Sequence, residues 1–224
     1  MTDPAALLLL LQHGDSFFPG GAFASSWGLE TLHAEGRASD AAAVERFIDA
    51  QLRRRWATCD RPALLDAHRA GDDLERVAAA DAELEALSLA RDQRLASRRA
   101  GRAFLRVHAR LGTRNAADYL ERIAAGRAAG HVPVVQGLAW RSAGLDEEGA
   151  AAAAAHLTAV ALASAAVRLG AITHVEAQDI LGRARLAVAG LLREPPPERP
   201  HTFTTIADIA MMRHETQPTR LFAS

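Results

Sequence analysis

The sequence contains no lysine, so all 26 of its basic residues are arginine. This absence excludes chemistry that needs a lysine amine, such as Schiff-base formation or the phosphate-binding lysine of a nucleotide-binding loop. Cys59 is the only cysteine, which excludes an intramolecular disulfide and a metal centre built from several thiolates of one chain. The formal net charge is −1, so no overall field attracts nucleic acid or an anionic membrane.

Long hydrophobic runs near the N-terminus are also absent. The apolar run over residues 4–11 is far shorter than a membrane span, and no basic stretch precedes it. We therefore expect neither a membrane anchor nor a secretory signal, and we predict a cytoplasmic protein.

Aromatic residues make up only 5% of the chain, strand-favouring residues are scarce and alanine is abundant, which together favour helices. Ser39 with Asp40, either Asp72 or Asp73, and Asp146 each precede a stripe of apolar residues at helical spacing, as N-caps do. Asp60, with Pro62 placed in a first turn, predicts one more helix start.

The prolines at 195–197 must end the last long helix. We predict an all-α fold, in which residues 1–194 form a single-domain bundle of about eight to ten helices. Residues 195–224 are predicted to form a flexible, proline-bounded tail that docks on a partner, with a short helix near residues 205–212.

No residue pattern defines an active site. Gly14, Asp15 and Ser16 resemble the nucleophile block of GDSL-type serine hydrolases, but the chain has no Asp-x-x-His pair to activate the serine. No two of the nine histidines lie three or four residues apart, so no helix presents a paired metal-ligand face. We predict no catalytic residue, no cofactor and no tightly bound metal, with a hydrolase using Ser16 as an alternative.

The arginines near Arg99 form a basic cluster with Phe104 interleaved. A solvated helix face explains the cluster best, and a helical regulator that binds nucleic acid is the second alternative. The near-zero net charge argues against that role.

Two motifs then point to a family. Residues 15–30 read D-S-F-F-P-G-G-A-F-A-S-S-W-G-L-E, which resembles the N-terminal signature D-S-x-x-P-x-G-x-F-x-x-S-x-G-L-E of the UreF family. Residues 212–224 read M-R-H-E-T-Q-P-T-R-L-F-A-S, which resembles the closing motif of the same family. Two positions depart from the usual pattern, namely Ser25, where many members have tyrosine, and the stretch around His174.

The resemblance implies an all-helical, non-enzymatic urease accessory protein. Such proteins form homodimers, bind the accessory protein UreD (also called UreH), recruit the GTPase UreG, and dock on apo-urease for nickel insertion. It also implies which residues carry function here. The partner-binding set in the tail is Arg213, His214, Glu215, Arg220, Leu221 and Phe222, and the dimer or structural set is Gly21, Phe23, Ser26, Gly28, Leu29 and Glu30.

We expect the tail to order against UreD, because it ends in an apolar anchor flanked by arginines and cannot form a core alone. We also expect the small-residue face around Gly28 to make a close helix–helix contact, either within one chain or between subunits.

Overall fold

The computed structural model describes residues 4–15, 17–19, 25–217 and 220–222, and it shows only helices and their connections within these ranges. A π-helical segment, Leu52–Asp60, joins α3 to α4 without a break, so the described residues form ten separate helical rods. The predicted all-α bundle of about eight to ten helices is confirmed. The helices are α1 (Pro4–Gly14), α2 (Leu29–Ala34), α3 (Ala41–Gln51), α4 (Arg61–Ala70), α5 (Leu74–Leu87), α6 (Arg91–Arg110), α7 (Ala116–Ala124), α8 (Val132–Ala143), α9 (Glu147–Arg168), α10 (His174–Arg193) and α11 (Thr205–His214).

Three of the predicted N-caps are present. The Asp40 carboxylate accepts a hydrogen bond from the Ala43 amide at 2.7 Å, and the Asp146 carboxylate accepts one from the Gly149 amide at 2.7 Å. Asp73 accepts from two amides of the first turn of α5. Each carboxylate satisfies amides that have no partner within their own helix.

The predicted helix start at Asp60 is wrong. The helix continues through this point, and the Asp60 side chain is buried beside Arg55 instead of capping α4. Pro62 has no amide hydrogen to give to the carbonyl of Thr58, four residues earlier. The His201 amide donates to that carbonyl at 2.9 Å, and the Phe203 amide donates to the Arg54 carbonyl at 3.0 Å. Backbone from the C-terminal tail therefore replaces the donor that Pro62 lacks and adds a second hydrogen bond to this segment.

The core consists of two clusters of buried apolar side chains, and α9 runs through both. Its N-terminal half gives Ala150 and Ala154 to the cluster around α4, α7 and α8, and its C-terminal half gives Ala159 and Leu162 to the cluster around α2, α3 and α10. Within the described residues, α9 is the helix long and apolar enough to cross a membrane by length and composition, but 61% of its most apolar window is buried in this core.

Candidate partner-binding site

The two signature motifs meet in space. The tail helix α11 packs on the start of α2, where Trp27 and Gly28 both have positive φ angles, of 56° and 86°. A Cβ atom on Gly28 would lie only 2.8 Å from the Ala207 carbonyl oxygen and 3.1 Å from Ala210 Cβ. Gly28 is therefore needed both for its left-handed backbone and for the close approach of α11.

Glu30 is the centre of this contact. Its carboxylate accepts hydrogen bonds from the Leu221 amide at 2.6 Å and the Phe222 amide at 3.1 Å. His214 Nε2 lies 2.9 Å from the same carboxylate, so this nitrogen carries the hydrogen. His214 is fully buried and Glu30 is 8% exposed. A buried carboxylate is stable only with such partners, so the burial of Glu30 and the position of the three donors require each other.

We call this contact the tail seat, defined by Gly28 and Glu30 on one side and His214, Leu221 and Phe222 on the other. Phe222 is 5% exposed and belongs to the core cluster around α2, α3 and α10. The Arg168 guanidinium lies 4.3 Å from the centroid of its ring, within the range of a cation–π contact. Phe222 is thus a buried aromatic anchor of the tail.

The predicted polar residues of the tail link the seat to neighbouring helices. Arg213 pairs with Glu35 at 3.0 Å, and Arg220 pairs with Asp92 at 3.3 Å. The Glu215 carboxylate accepts from the Arg91 and Asp92 amides at 3.1 and 3.4 Å, which caps the N-terminus of α6. These contacts fix the tail on α2 and α6.

The structure therefore brings together most of the residues predicted from the sequence. Ser26 and Leu29 belong to the same turn, in which the Leu29 amide donates to the Ser26 carbonyl at 3.0 Å. Gly21, Phe23 and Ser16 lie outside the described residues, so the roles expected of them stay predictions. The close contact expected at Gly28 is made within the chain. Docking of the tail on a partner also stays a prediction.

Two buried polar clusters were not predicted. In the first, the fully buried Asp81 carboxylate accepts from the Tyr119 hydroxyl and from the Gly130 and His131 amides, at 3.0, 2.6 and 2.9 Å. Burial raises the pKa of Tyr119, and the charge of the Asp81 carboxylate and its hydrogen bond to the hydroxyl add to this effect. The cluster holds the segment before α8 against α5 and α7.

The second cluster surrounds Arg55, which is 4% exposed in the π-helical segment. Its guanidinium lies 3.3 Å from the Asp60 carboxylate and 5.4 Å from the centre of the Trp27 ring. Burial raises the pKa of the neighbouring Cys59 thiol to about 12, and the charge of Asp60 adds to this effect. Cys59 is therefore protonated at neutral pH and is a poor nucleophile.

The described residues include no group of three or more histidine, cysteine or acidic side chains that could hold a metal ion. The chemistry visible at the tail seat is hydrogen bonding, ion pairing and apolar burial within the chain.

Comparison with known proteins identifies the family. A family model described as UreF matches residues 38–185. The urease accessory protein UreF of Trichodesmium erythraeum is 31% identical over 234 aligned residues, which cover 100% of this chain and 99% of the relative. UreF of Actinobacillus pleuropneumoniae is 29% identical over 96% of this chain and 97% of the relative, and UreF of Yersinia pseudotuberculosis is 30% identical over 78% of each. The chain belongs to the UreF family of urease accessory proteins.

Proposed function

We propose that this chain is a non-enzymatic scaffold in urease maturation. It acts in the cytoplasm as a homodimer, binds UreD (UreH), and links it to the GTPase UreG so that nickel enters apo-urease. Family membership supports this role, since the matching relatives are named as urease accessory proteins.

The observation that carries the proposal is an exposed apolar stripe on the outer face of α11. Ile206, Ile209 and Met212 are 58%, 45% and 43% exposed, and their spacing of three residues places them along one side of the helix. Phe203, just before the helix, and Leu221, in the tail seat, are 66% and 53% exposed. An exposed apolar surface of this kind is typical of a protein–protein interface.

The inner face of α11 holds this stripe in place. Ala207, Ala210 and Met211 are buried, and the tail seat fixes the segment that follows the helix. A partner that binds the outer face therefore meets a preorganised helix, which lowers the entropy cost of binding. UreD is the proposed occupant of this face.

The test is co-expression of the chain with UreD and UreG, followed by size-exclusion chromatography. We expect the full chain to elute in a complex with both partners, and a chain that ends at Arg199 to lose UreD. Circular dichroism of the shortened chain checks that its helices remain. A shortened chain that enters the complex as the full chain does contradicts the proposal.

A further inference from the structure

A groove lies between the outer side of α3 and the tail segment that leads into α11. Its volume is about 740 Å³, and binding clefts typically measure roughly 300–1,000 Å³. α3 turns Val44 and Ile48 into the core. The residues on its other side line the groove, among them Ala43, Phe47 and Ala50. The floor of the groove is therefore apolar.

The tail forms the opposite wall and presents two large apolar side chains. Phe203 and Ile206 line the groove and are 66% and 58% exposed. The Phe203 amide donates to the Arg54 carbonyl at 3.0 Å, which fixes this wall on the π-helical segment. Ile206 is also the first residue of the exposed apolar stripe on α11. A partner that sits on the stripe therefore reaches the groove.

The two carboxylates that line the groove already have partners. Arg53 Nε donates to both oxygens of Asp49, at 2.8 and 2.9 Å. Glu45 pairs with Arg183 of α10 at 2.5 Å. Neither carboxylate neutralises the remaining arginines of the lining.

Two arginines of the lining have no such partner. Arg46 and Arg54 are exposed, and neither guanidinium makes an ion pair or a hydrogen bond with another described residue. Their separation along the helix axis is roughly 12 Å, at about 1.5 Å per residue. The groove therefore offers two positive charges above an apolar floor, which is complementary to a segment with negative charge on both sides of an apolar group.

We propose that this groove binds an acidic segment of the partner that covers α11, with one carboxylate on Arg46, one on Arg54 and an apolar side chain between them. The inference rests on the proposed function, which assigns UreD as that partner. Two turns of helix, or about four residues of extended chain, separate carboxylates by roughly 12 Å. Arginine suits this role because its guanidinium binds a carboxylate through two parallel hydrogen bonds.

The groove fits a protein segment better than a nucleic acid. A chain of phosphates would meet the Glu45 and Asp49 carboxylates at the same rim, and it would leave the apolar floor unoccupied. The formal net charge of −1 also gives the protein no general attraction for a polyanion.

The test measures the affinity of purified UreD for three forms of the full chain. The first is the unchanged chain, and the second, the groove variant, carries Arg46→Gln and Arg54→Gln. The third is the matched control, with Arg106→Gln and Arg110→Gln at the far end of α6, where both arginines are exposed and likewise unpaired among the described residues. Each affinity is measured at about 50 mM and at about 300 mM NaCl, because salt screens contacts between charges.

We expect the groove variant to bind UreD roughly 10- to 100-fold more weakly than the unchanged chain at low salt. Its affinity should also depend less on salt, because the lost contacts are charge pairs. The control should bind within about threefold of the unchanged chain, since its arginines lie outside the groove. Circular dichroism checks that both variants keep their helices.

A groove variant that binds UreD as the unchanged chain does overturns the proposal, and so does an equal loss in the control. If Ile206→Asp with Ile209→Asp still weakens binding in that case, the groove fails alone and the proposed function stands. If UreD does not bind the unchanged chain, the proposed function itself fails.

Two further outcomes decide the matter without relying on the folding of the groove variant. Affinity of the unchanged chain for UreD that does not fall with salt overturns the proposal. Binding of a labelled single-stranded DNA of about twelve nucleotides by the unchanged chain, at about 150 mM NaCl and in competition with UreD, assigns the groove to nucleic acid and overturns it as well.

Discussion

The Glu30→Gln substitution perturbs the tail seat at its centre. Glutamine has nearly the same shape, but it keeps one carbonyl oxygen and presents an amide N–H₂ in place of the other. Glu30 Oε1 accepts from Leu221, and Oε2 accepts from His214 and Phe222. In either orientation of the glutamine, at least one of these donors faces the new N–H₂ and loses its acceptor.

The expected loss of stability at the tail seat follows from these contacts. A hydrogen bond to a charged group contributes about 1.5–3 kcal/mol, and an unpaired buried donor adds a further penalty, so we expect a loss of about 2–4 kcal/mol. Because the tail follows the last long helix, this loss should appear as local opening of the tail and not as global unfolding. The open population should rise roughly 30- to 700-fold.

Hydrogen exchange of the Leu221 and Phe222 amides measures this opening directly. The matched control is Glu35→Gln, which removes a partly exposed carboxylate that pairs with Arg213 at 3.0 Å and with Arg37 at 3.6 Å. A surface ion pair contributes about 0–1 kcal/mol, so the control should change exchange less than about fivefold. Equal exchange rates in the two variants refute the role given to Glu30.

Three further changes test other parts of the fold. Gly28→Ala should destabilise the protein in urea by about 2–4 kcal/mol, because it adds left-handed backbone strain to a clash with the Ala207 carbonyl. Asp81→Asn should lower the melting temperature by about 5–10 °C, because one of the three donors on its carboxylate is left unpaired. Burial and the nearby His13 lower the pKa of His108 from 6.5 to about 4, so the unfolded chain binds this proton first and stability falls as the pH drops from about 6.5 towards 4. His108→Gln should flatten that part of the pH profile, by at most about 3 kcal/mol.

Each of these changes has a control or a contradicting outcome. Gly36→Ala has the same backbone strain, with φ of 71°, but no atom within 4 Å of the new Cβ, so it should cost less than Gly28→Ala. Glu83→Gln changes an exposed carboxylate of α5 and should leave the melting temperature within about 2 °C. A Gly28→Ala variant as stable as Gly36→Ala, or an unchanged acid limb in His108→Gln, contradicts the reasoning.

The sequence predicts features that depend on neighbouring residues. The caps at Asp40, Asp73 and Asp146 were found because the acceptor and the amides that it caps lie within a few positions of each other. Asp60 and Pro62 form the same local pattern, yet the helix does not begin there. The missing Pro62 donor is replaced from the tail by His201, about 140 positions away, which no local pattern indicates.

The tail seat shows the same limit. Glu30, His214 and Phe222 were each singled out from the family motifs, but their pairing across more than 180 positions appears only in the structure. The burial of the charged residues does have a signal in the sequence. Asp81 and Arg55 each occupy a position in an apolar stripe of helical spacing, where a charged side chain is expected to be buried with partners.

UreD, in the proposed function, binds the outer face of the tail helix α11. The most direct measurement is the affinity for purified UreD of the double variant Ile206→Asp and Ile209→Asp. The control is Leu186→Asp, which places the same charge on an apolar residue of α10 that is 69% exposed. Truncating or charging interface anchors typically costs about 2–4 kcal/mol, so the double variant should bind about 30- to 700-fold more weakly, with its folding and the control's affinity unchanged. Equal affinity of the double variant and the unchanged chain for UreD contradicts the claim.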